Sequence, residues 1–475
     1  MAQGATPLGE KNGHIIIGGG PAGLTAAYEL ARHAQRTLVL EATPHLGGLA
    51  RTETYRGYRF DIGGHRFYTR IPEVQRLWEE LLGPDLIQVR RLSRIYYRGK
   101  FFDYPLSLGN ALANLGLGES LAVVSSYLKA RLSPRRREET LEEWLIHRFG
   151  SRLYRMFFKT YTEKVWGMPC HTIGADWAAQ RIQDLTLASA ILSAFGARSR
   201  AKTLIRTFQY PRLGPGMLWE RMREAIVQNG SEVLLNAPVT SLKHESGRVT
   251  HVEIAPQGAP CLIPCASVLS SMPLGELVQR LDPPPPEEIL ASARALRHRA
   301  FLLVGLILEG RDLFPDNWVY VHSPEVSVGR IQNFRNWSEA LVPSAEHTSL
   351  GMEYFCDEGD ALWCQPDEAL IALATQELQQ LGLADGSRVM GGVVIRQPRA
   401  YPIYHAGYRA HVDRLRDYLA GFRNVQTIGR NGMHRYNNLD HAMLTGLLAA
   451  RNVLGGQYDI WAVNAEATYG EAPSK

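Results

Sequence analysis

Gly18, Gly20 and Gly23 follow directly on the run His14-Ile15-Ile16-Ile17, and a helical pattern (Leu24, Ala27, Leu30, Ala31) comes after them. The run has buried-strand character, so the glycines sit at a strand-to-helix turn. Each then has a physical task. Gly18 permits the tight turn, Gly20 lets backbone approach a pyrophosphate, and Gly23 lets helix and strand pack closely. The phosphates of a dinucleotide would be met there by unpaired N–H groups at the helix N-terminus. A second strand pattern, Thr37-Leu38-Val39-Leu40, ends at Glu41, 18 residues beyond Gly23. A carboxylate at that point accepts hydrogen bonds from ribose hydroxyls and repels a 2′-phosphate, which disfavours NADP. Strand, glycines, helix and acid together point to a dinucleotide site; the competing reading is a tight turn without a ligand.

Other chemistry-bearing residues recur along the chain. Gly47-Gly48-Leu49-Ala50-Arg51 places a second glycine pair soon after the acid-ended strand, and Tyr58 to Gly63-Gly64-His65 reads as a strand running into a third. Consecutive glycines there would let backbone lie flat against a planar ring; two ordinary turns are the alternative. Between Lys159 and Ile182, the residues Tyr161, Thr162, Lys164, Trp166, Gln180 and Arg181 concentrate polar, aromatic and cationic groups. A core-facing helix would show cleaner periodicity. Asn424 to Gly432 is a strand into a late glycine turn bearing Gly429 and Arg430, and an apolar helix from His441 to Leu454 follows.

The elements that must position these residues are legible in outline. Leu106 to Lys202 is helical in pattern, with Thr140-x-x-Glu143 as a capping box opening a helix from Leu141 to Phe149. Strand patterns take over from Val233, with a hairpin signal at Ser246-Gly247 and a further strand at Val268 to Pro273. Pro283 to Pro286 marks a linker. Strands at Phe301–Leu308, Trp318–Val321 and Gly351–Cys356 precede a helix beginning near Pro366, a mixed sheet-and-helix lobe. No second GxGxxG follows a strand, so one tightly held dinucleotide with inserted lobes is expected, rather than a two-nucleotide reductase.

A chain of 475 residues is expected to form two or three lobes. Its net charge of +5 suits a small anionic substrate. No basic arm or nucleic-acid motif appears, so no nucleic-acid partner is expected. Five scattered cysteines without CxxC spacing argue against disulfides and structural zinc, and no metal site is expected. The polar start, Met1 to Lys11, lacks the apolar core of a signal peptide. The longest apolar run, Ala300 to Leu308, falls short of the ~20 residues that span a bilayer. A cytoplasmic location with no membrane partner is the expectation.

Strand–GxGxxG–helix–Glu, then Gly-Gly-Leu-Ala-Arg and a late Gly-Arg turn, resemble the flavin-binding amine oxidase and protoporphyrinogen oxidase superfamily. Within it, the interior resembles the UDP-galactopyranose mutases more than the oxidases. Gly63-Gly64-His65 looks like their histidine loop, and Phe102-Asp103-Tyr104-Pro105 like their nucleotide-contacting stretch. Lys164-Val165-Trp166-Gly167 and Gln180-Arg181 are similar to their Lys-x-Trp and Glu-Arg elements. Trp318-x-Tyr320, with Arg330-x-x-x-Phe334-x-Asn336, resembles the segment of their second diphosphate arginine. Ala400-Tyr401-Pro402 and Gly429-Arg430…Arg435-Tyr436…Asp440-His441 look like their C-terminal blocks. Leu106 and Ser107, where eukaryotic mutases carry Phe-Gln at the uracil, depart from the pattern, and Thr162 matches the bacterial pattern.

The resemblance implies an α/β fold, a discontinuous Rossmann-like FAD-binding domain with an inserted helical lobe and a mixed β-sheet substrate lobe. Its expected parts are FAD-binding segments at 12–105, 212–282 and 395–460, a helical substrate lobe at 106–211 and a sheet lobe at 283–394. It implies FAD held by Gly18, Gly20, Gly23, Glu41, Gly47, Gly48, Arg51, Gly64, Gly429 and Arg430. The implied reaction is pyranose–furanose isomerisation of a nucleotide-diphosphate sugar through an adduct of the sugar with N5 of the reduced flavin. An external reductant such as NAD(P)H would keep the flavin reduced. Arg181 and Arg330 would hold the departing diphosphate, with Tyr401 and Tyr436 at the phosphates and His65 beside the flavin. Tyr104, Thr162, Trp166, Trp318 and Tyr320 would line the substrate site. The alternative is an FAD-dependent oxidase or desaturase of the protoporphyrinogen or amine oxidase type.

Overall fold

The computed structural model describes residues 13–104, 108–133, 138–174 and 207–464 of the chain. Apolar strands buried on both faces need helices on both sides, and the first sheet follows that rule. Its parallel core runs Val425–Thr427, Cys261–Ser270, Gly13–Ile17, Thr37–Leu40 and Glu232–Leu234. The hairpin Val239–Glu245/Arg248–Ile254 extends it antiparallel from Cys261–Ser270, turning at Ser246 (φ 48°) and Gly247 (φ 70°) as the sequence predicts. One face is covered by helices Pro21–Arg32 and Leu439–Val453, which cross so closely that a Cβ on Gly446 would lie 2.2 Å from Ala22 O. That close approach puts the late glycine turn beside the first one.

Among the described residues the second sheet has seven strands, in the order Val389–Pro402, His298–Glu309, His347–Cys356, Arg330–Asn333, Trp318–Val321, Ser93–Tyr97 and Lys100–Asp103. Period-two alternation divides its faces. Val319, Ile331, Met352 and Tyr354 pack on the helix Asp367–Gln380 through Leu370, Ala374 and Leu378. Trp318, Phe301, Leu303 and Tyr401 point the other way, into the cluster shared with Phe60 and Ile62 of the glycine–histidine loop. The division at 12–105 therefore does not coincide with a sheet boundary. Strands Ser93–Tyr97 and Lys100–Asp103 belong to the second sheet, because Ser93–Tyr97 pairs in parallel with Trp318–Val321. Likewise Val389–Pro402 crosses the expected break at 394/395 as one continuous strand.

Among the described residues the helical lobe contains Leu108–Leu115, Leu117–Leu132, Leu141–Leu153 and Thr160–Trp166, with a π turn at Tyr154–Lys159. Its core is Trp144, Leu145, Phe149, Tyr154 and Phe157. The capping box forms as predicted: Glu143 N donates to Thr140 Oγ1 at 3.2 Å, and Thr140 N to Glu143 Oε2 at 3.1 Å. The helix then runs past Phe149 to Leu153 through a kink at Gly150 (φ 78°).

Candidate active site

The dinucleotide motif forms the geometry its residue types require. Gly18 has φ +101°, and a Cβ on Gly23 would stand 2.0 Å from Gly18 O, so that position admits no larger residue. Gly20 is extended and caps the helix Pro21–Arg32 without a side-chain hydrogen bond. Gly20 and Gly48 meet backbone to backbone: a Cβ on Gly20 would lie 3.8 Å from Gly48 Cα, and Gly47 N donates to Gly19 O at 2.8 Å. Glu41 is buried at the end of its strand; Oε2 accepts from Gly19 N (2.8 Å) and Oε1 from Thr43 N (2.9 Å). A bare helix N-terminus, two facing glycine loops and a fixed carboxylate beside them fit the diphosphate and ribose of a dinucleotide. Arg51 supports this cradle from behind. It donates to Gly48 O at 3.0 Å and pairs with Glu53 at 2.6 Å. Gly429 (φ +76°) closes the other side; a Cβ there would meet Ala22 Cβ at 3.0 Å.

The glycine–histidine loop brings the two sheets together. A Cβ built on Gly63 would lie 3.7 Å from both Arg330 Nη2 and His65 Nε2, and one on Gly64 would lie 3.6 Å from the Trp337 ring. His65 Nε2 bonds the Ile62 carbonyl at 2.7 Å. Burial, with Arg430 and Arg330 nearby, lowers its pKa to about 4, so the imidazole is neutral at pH 7. It acts on the loop's shape and polarity, not as a resident charge.

Arg330 is not a surface arginine: its side chain is 17% exposed and its partner Glu353 is fully buried. The two residues are directly opposed in the antiparallel ladder, and Tyr320 is opposed to Arg330 on the other side. Tyr320, Arg330 and Glu353 thus form one row across three strands. Arg330 Nε donates to Glu353 Oε2 at 2.6 Å, and Gln332 Nε2 donates to Oε1 at 2.7 Å. Burial opposes the guanidinium's charge, but Glu353 and the phenols of Tyr161 and Tyr401 outweigh it, and Arg330 stays cationic.

Tyr401 and Tyr436 stack with centroids 5.8 Å apart and planes 20° apart. Arg430 lies over Tyr436 at 4.4 Å and donates through Nε to the Asn437 carbonyl at 3.0 Å. Burial, reinforced by Tyr436, raises the Tyr401 pKa, so its hydroxyl keeps its proton. Trp166 is buried against this pair, 6.5 Å from Tyr401 and 6.4 Å from Tyr436. Its helix is fixed by Lys164, whose Nζ donates to Ser323 O (2.7 Å) and Val328 O (3.1 Å). Burial brings that lysine down to about 8. The same helix carries Thr162, half-buried, and Tyr161, which stacks on His322 at 4.8 Å and meets Tyr320 edge-on at 5.6 Å.

Further out, Tyr320 packs on Tyr104 at 4.9 Å, and Tyr104 is 42% exposed. Trp318 is buried, 5.3 Å from Trp337, with the guanidiniums of Arg66 (5.8 Å) and Arg91 (5.7 Å) over its ring.

The fold therefore gathers His65, Gly64, Arg330, Tyr401, Tyr436, Arg430, Trp166 and Tyr320 from six separate stretches of sequence. Trp318, Tyr104 and Thr162 flank them. Arg181 and Gln180 lie outside the described residues. Sequence reasoning marked Tyr161 within its polar and aromatic cluster without giving it a role, and missed Glu353, Arg66 and Arg91. Tyr161 and Arg66 were adjacent to predicted residues, whereas nothing local marks Glu353 or Arg91, which act only through a neighbouring strand or ring. Among the described residues no group of three or more His, Cys, Asp or Glu is placed to hold a metal ion. No helix among them is long and apolar enough to cross a membrane.

The profile of the family described as flavin containing amine oxidoreductase matches residues 21–454. The chain is 41% identical over 68 residues to pseudooxynicotine dehydrogenase from Pseudomonas sp, covering 14% of this chain and 13% of that relative's length. It is 22% identical over 476 residues to coproporphyrinogen III oxidase from Propionibacterium freudenreichii subsp. freudenreichii, covering 88% of this chain and 86% of that protein. A crystal structure of reduced UDP-galactopyranose mutase superposes with a TM-score of 0.84 at 20% identity, covering 96% of this chain and 97% of that one.

Proposed function

The chain belongs to the flavin-containing amine oxidoreductase family with FAD as its cofactor, and we propose that within this family it is a mutase of a nucleotide-diphosphate sugar. The observation that carries the reading is the charge at the glycine–histidine loop. Two guanidiniums, Arg330 and Arg430, stand there among three phenols, Tyr161, Tyr401 and Tyr436. Glu353, the carboxylate bonded to Arg330, is sealed behind it. Such a site repels a protonated amine and suits an anion.

Bound FAD supplies a ring that can donate electrons or act as a nucleophile when reduced. This chain's residues do the rest. Gly20, Gly48 and the helix N-terminus would hold the pyrophosphate of the cofactor, Glu41 its ribose, and Gly63–His65 and Arg430 would border its ring. Arg330, aimed by Glu353, presents its remaining N–H groups to a substrate diphosphate, and keeps a departing nucleotide in place. Arg181 is the second diphosphate arginine of this reading. Tyr401, kept protonated, and Tyr436 donate hydrogen bonds to phosphate or sugar oxygens, and Trp166 and Tyr320 exclude water from the sugar. The net reaction consumes no reductant, so NAD(P)H or another external donor serves only to keep the flavin reduced.

The oxidase reading rests on the coproporphyrinogen oxidase and pseudooxynicotine dehydrogenase relatives. An anionic substrate such as a porphyrinogen would also satisfy the arginines. One experiment separates the two. The dithionite-reduced holoprotein is incubated anaerobically with a panel of nucleotide-diphosphate hexoses, and products are separated by anion-exchange chromatography. Interconversion of pyranose and furanose forms without net flavin oxidation supports the mutase. No interconversion across the panel, with oxygen uptake and peroxide on coproporphyrinogen under oxidised conditions, establishes the oxidase.

A further inference from the structure

The helix Leu117–Leu132 fully buries Ser120 and Val123 and packs Tyr127, half-buried, on the core of the helical lobe. Its outward face carries Leu117 (87% exposed), Leu121 (71%), Val124 (41%), Leu128 (53%) and Leu132 (85%). Their spacings of four, three, four and four residues place all five on one stripe. The other large exposed apolar side chains among the described residues, such as Val227, Leu262 and Met390, stand singly on other elements. Single exposed apolar residues are ordinary, whereas a continuous stripe along four helical turns marks a contact surface.

Charge decides what that surface meets. At the stripe's start stand Arg98, whose charge reaches Glu119, and Lys100, which donates to the Asn114 carbonyl. At its end stand Lys129 and Arg131, exposed in the last turn of the helix. The only acid in the helix is Glu119, bonded to Arg152 Nη2 at 2.7 Å. In either pairing of two copies along this stripe, parallel or antiparallel, the cations outnumber the single carboxylate, Glu119, which Arg152 already holds. A bilayer leaflet carrying anionic headgroups complements both features: the apolar stripe enters the acyl boundary and the four cations meet the headgroups.

We propose that this helix is a peripheral docking surface for an anionic lipid bilayer. The chain then rests on the membrane through one amphipathic helix and does not span it. This differs from the expectation of no membrane partner, which rested on the absence of a spanning run. The surface is independent of whether the flavin site isomerises or oxidises.

The test is co-sedimentation of the holoprotein with vesicles of phosphatidylcholine alone, or of phosphatidylcholine mixed with phosphatidylglycerol. The wild type should bind the mixed vesicles and release at high salt. Each cation removed should weaken binding about fivefold, read in Lys129→Gln and Arg131→Gln. The double variant Leu121→Glu/Leu128→Glu should lose binding altogether while retaining its flavin absorbance and circular dichroism, because both side chains are solvent-facing. Equal binding by wild type and the leucine variant, or no binding of the wild type to mixed vesicles, overturns the proposal. So does a wild-type dimer in light scattering that the leucine variant turns into a monomer, since that makes the occupant a second copy.

Discussion

Arg330 and Glu353 owe their pairing to register: opposed positions in adjacent antiparallel strands put their Cβ atoms within reach on the same sheet face. A buried carboxylate whose cation is lost is costly, and so is the reverse. Glu353→Gln should therefore lower unfolding stability by about 3 kcal/mol, read as a shift of the urea midpoint at constant slope; an unchanged midpoint would mean the pair is not buried in solution. Arg330→Lys tests the other property of the residue. It keeps the charge but loses the planar fork that can grip Glu353 and a phosphate at once. Turnover should fall roughly tenfold to a hundredfold with flavin content unchanged, and wild-type kinetics would remove Arg330 from the site.

At the scale of the element, two glycines of one motif predict opposite outcomes. A methyl on Gly23 would sit 2.0 Å from Gly18 O, inside backbone that cannot yield. A methyl on Gly20 meets nothing nearer than Gly48 Cα at 3.8 Å, but fills the space between the two glycine loops. Gly23→Ala should give little soluble protein. Gly20→Ala should fold with an unaltered circular dichroism spectrum and be purified with much less FAD, measured as the ratio of absorbance at 450 to 280 nm (about 450 nm being the flavin band of this cofactor class). Full flavin occupancy in Gly20→Ala would place the pyrophosphate elsewhere. The cap on the last helix follows the same local logic. Asn438 N bonds His441 Nδ1 at 3.3 Å, so this histidine heads its helix as a cap, as its position after Asp440 suggests, and takes no part in the site described.

The whole molecule sets the pH dependence of stability. His65 and His298 are lowered to about 4, and His322 and His434 to about 3, chiefly by burial. Each is neutral when folded and takes up a proton on unfolding below about 6.5, so each loses stability as pH falls from there toward its folded value. Asp61 opposes them. Burial raises its carboxyl to about 7, so it stays protonated when folded and costs stability as pH rises from 3.8 toward 7. His14, also lowered by burial, joins these histidines, and Glu353, also raised by burial, joins Asp61; five imidazoles against two carboxyls decide the sign between pH 4 and 6.5, and stability should rise with pH. Asp61→Asn should make that rise steeper, measured by denaturant unfolding at pH 4.5, 5.5 and 6.5 (values within the about 4 to 6.5 window where histidine titrates). A fall in stability over the same range would show that these imidazoles are solvated.

The sequence by itself determined what is written in consecutive residues. The strand, glycines, helix and Glu41 of the cradle, the capping box at Thr140, and the hairpin at Ser246-Gly247 are local, because dihedral freedom, caps and hydrophobic period act within a few residues. The order of the later blocks was enough to anticipate FAD and the family, and it named His65, Arg330, Tyr401, Tyr436 and Arg430 before any geometry was known. Tertiary structure alone decided what those residues touch. Glu353 lies 23 positions from Arg330, and only strand pairing makes it the partner. Ser93–Tyr97 joins the second sheet only because a parallel partner, Trp318–Val321, arrives far later in the chain. The spacing of the leucines in 117–132 marks one helical face; whether such a stripe is covered depends on what the rest of the fold lays against it, and these side chains are exposed. Periodicity specifies a face, and only packing specifies its partner.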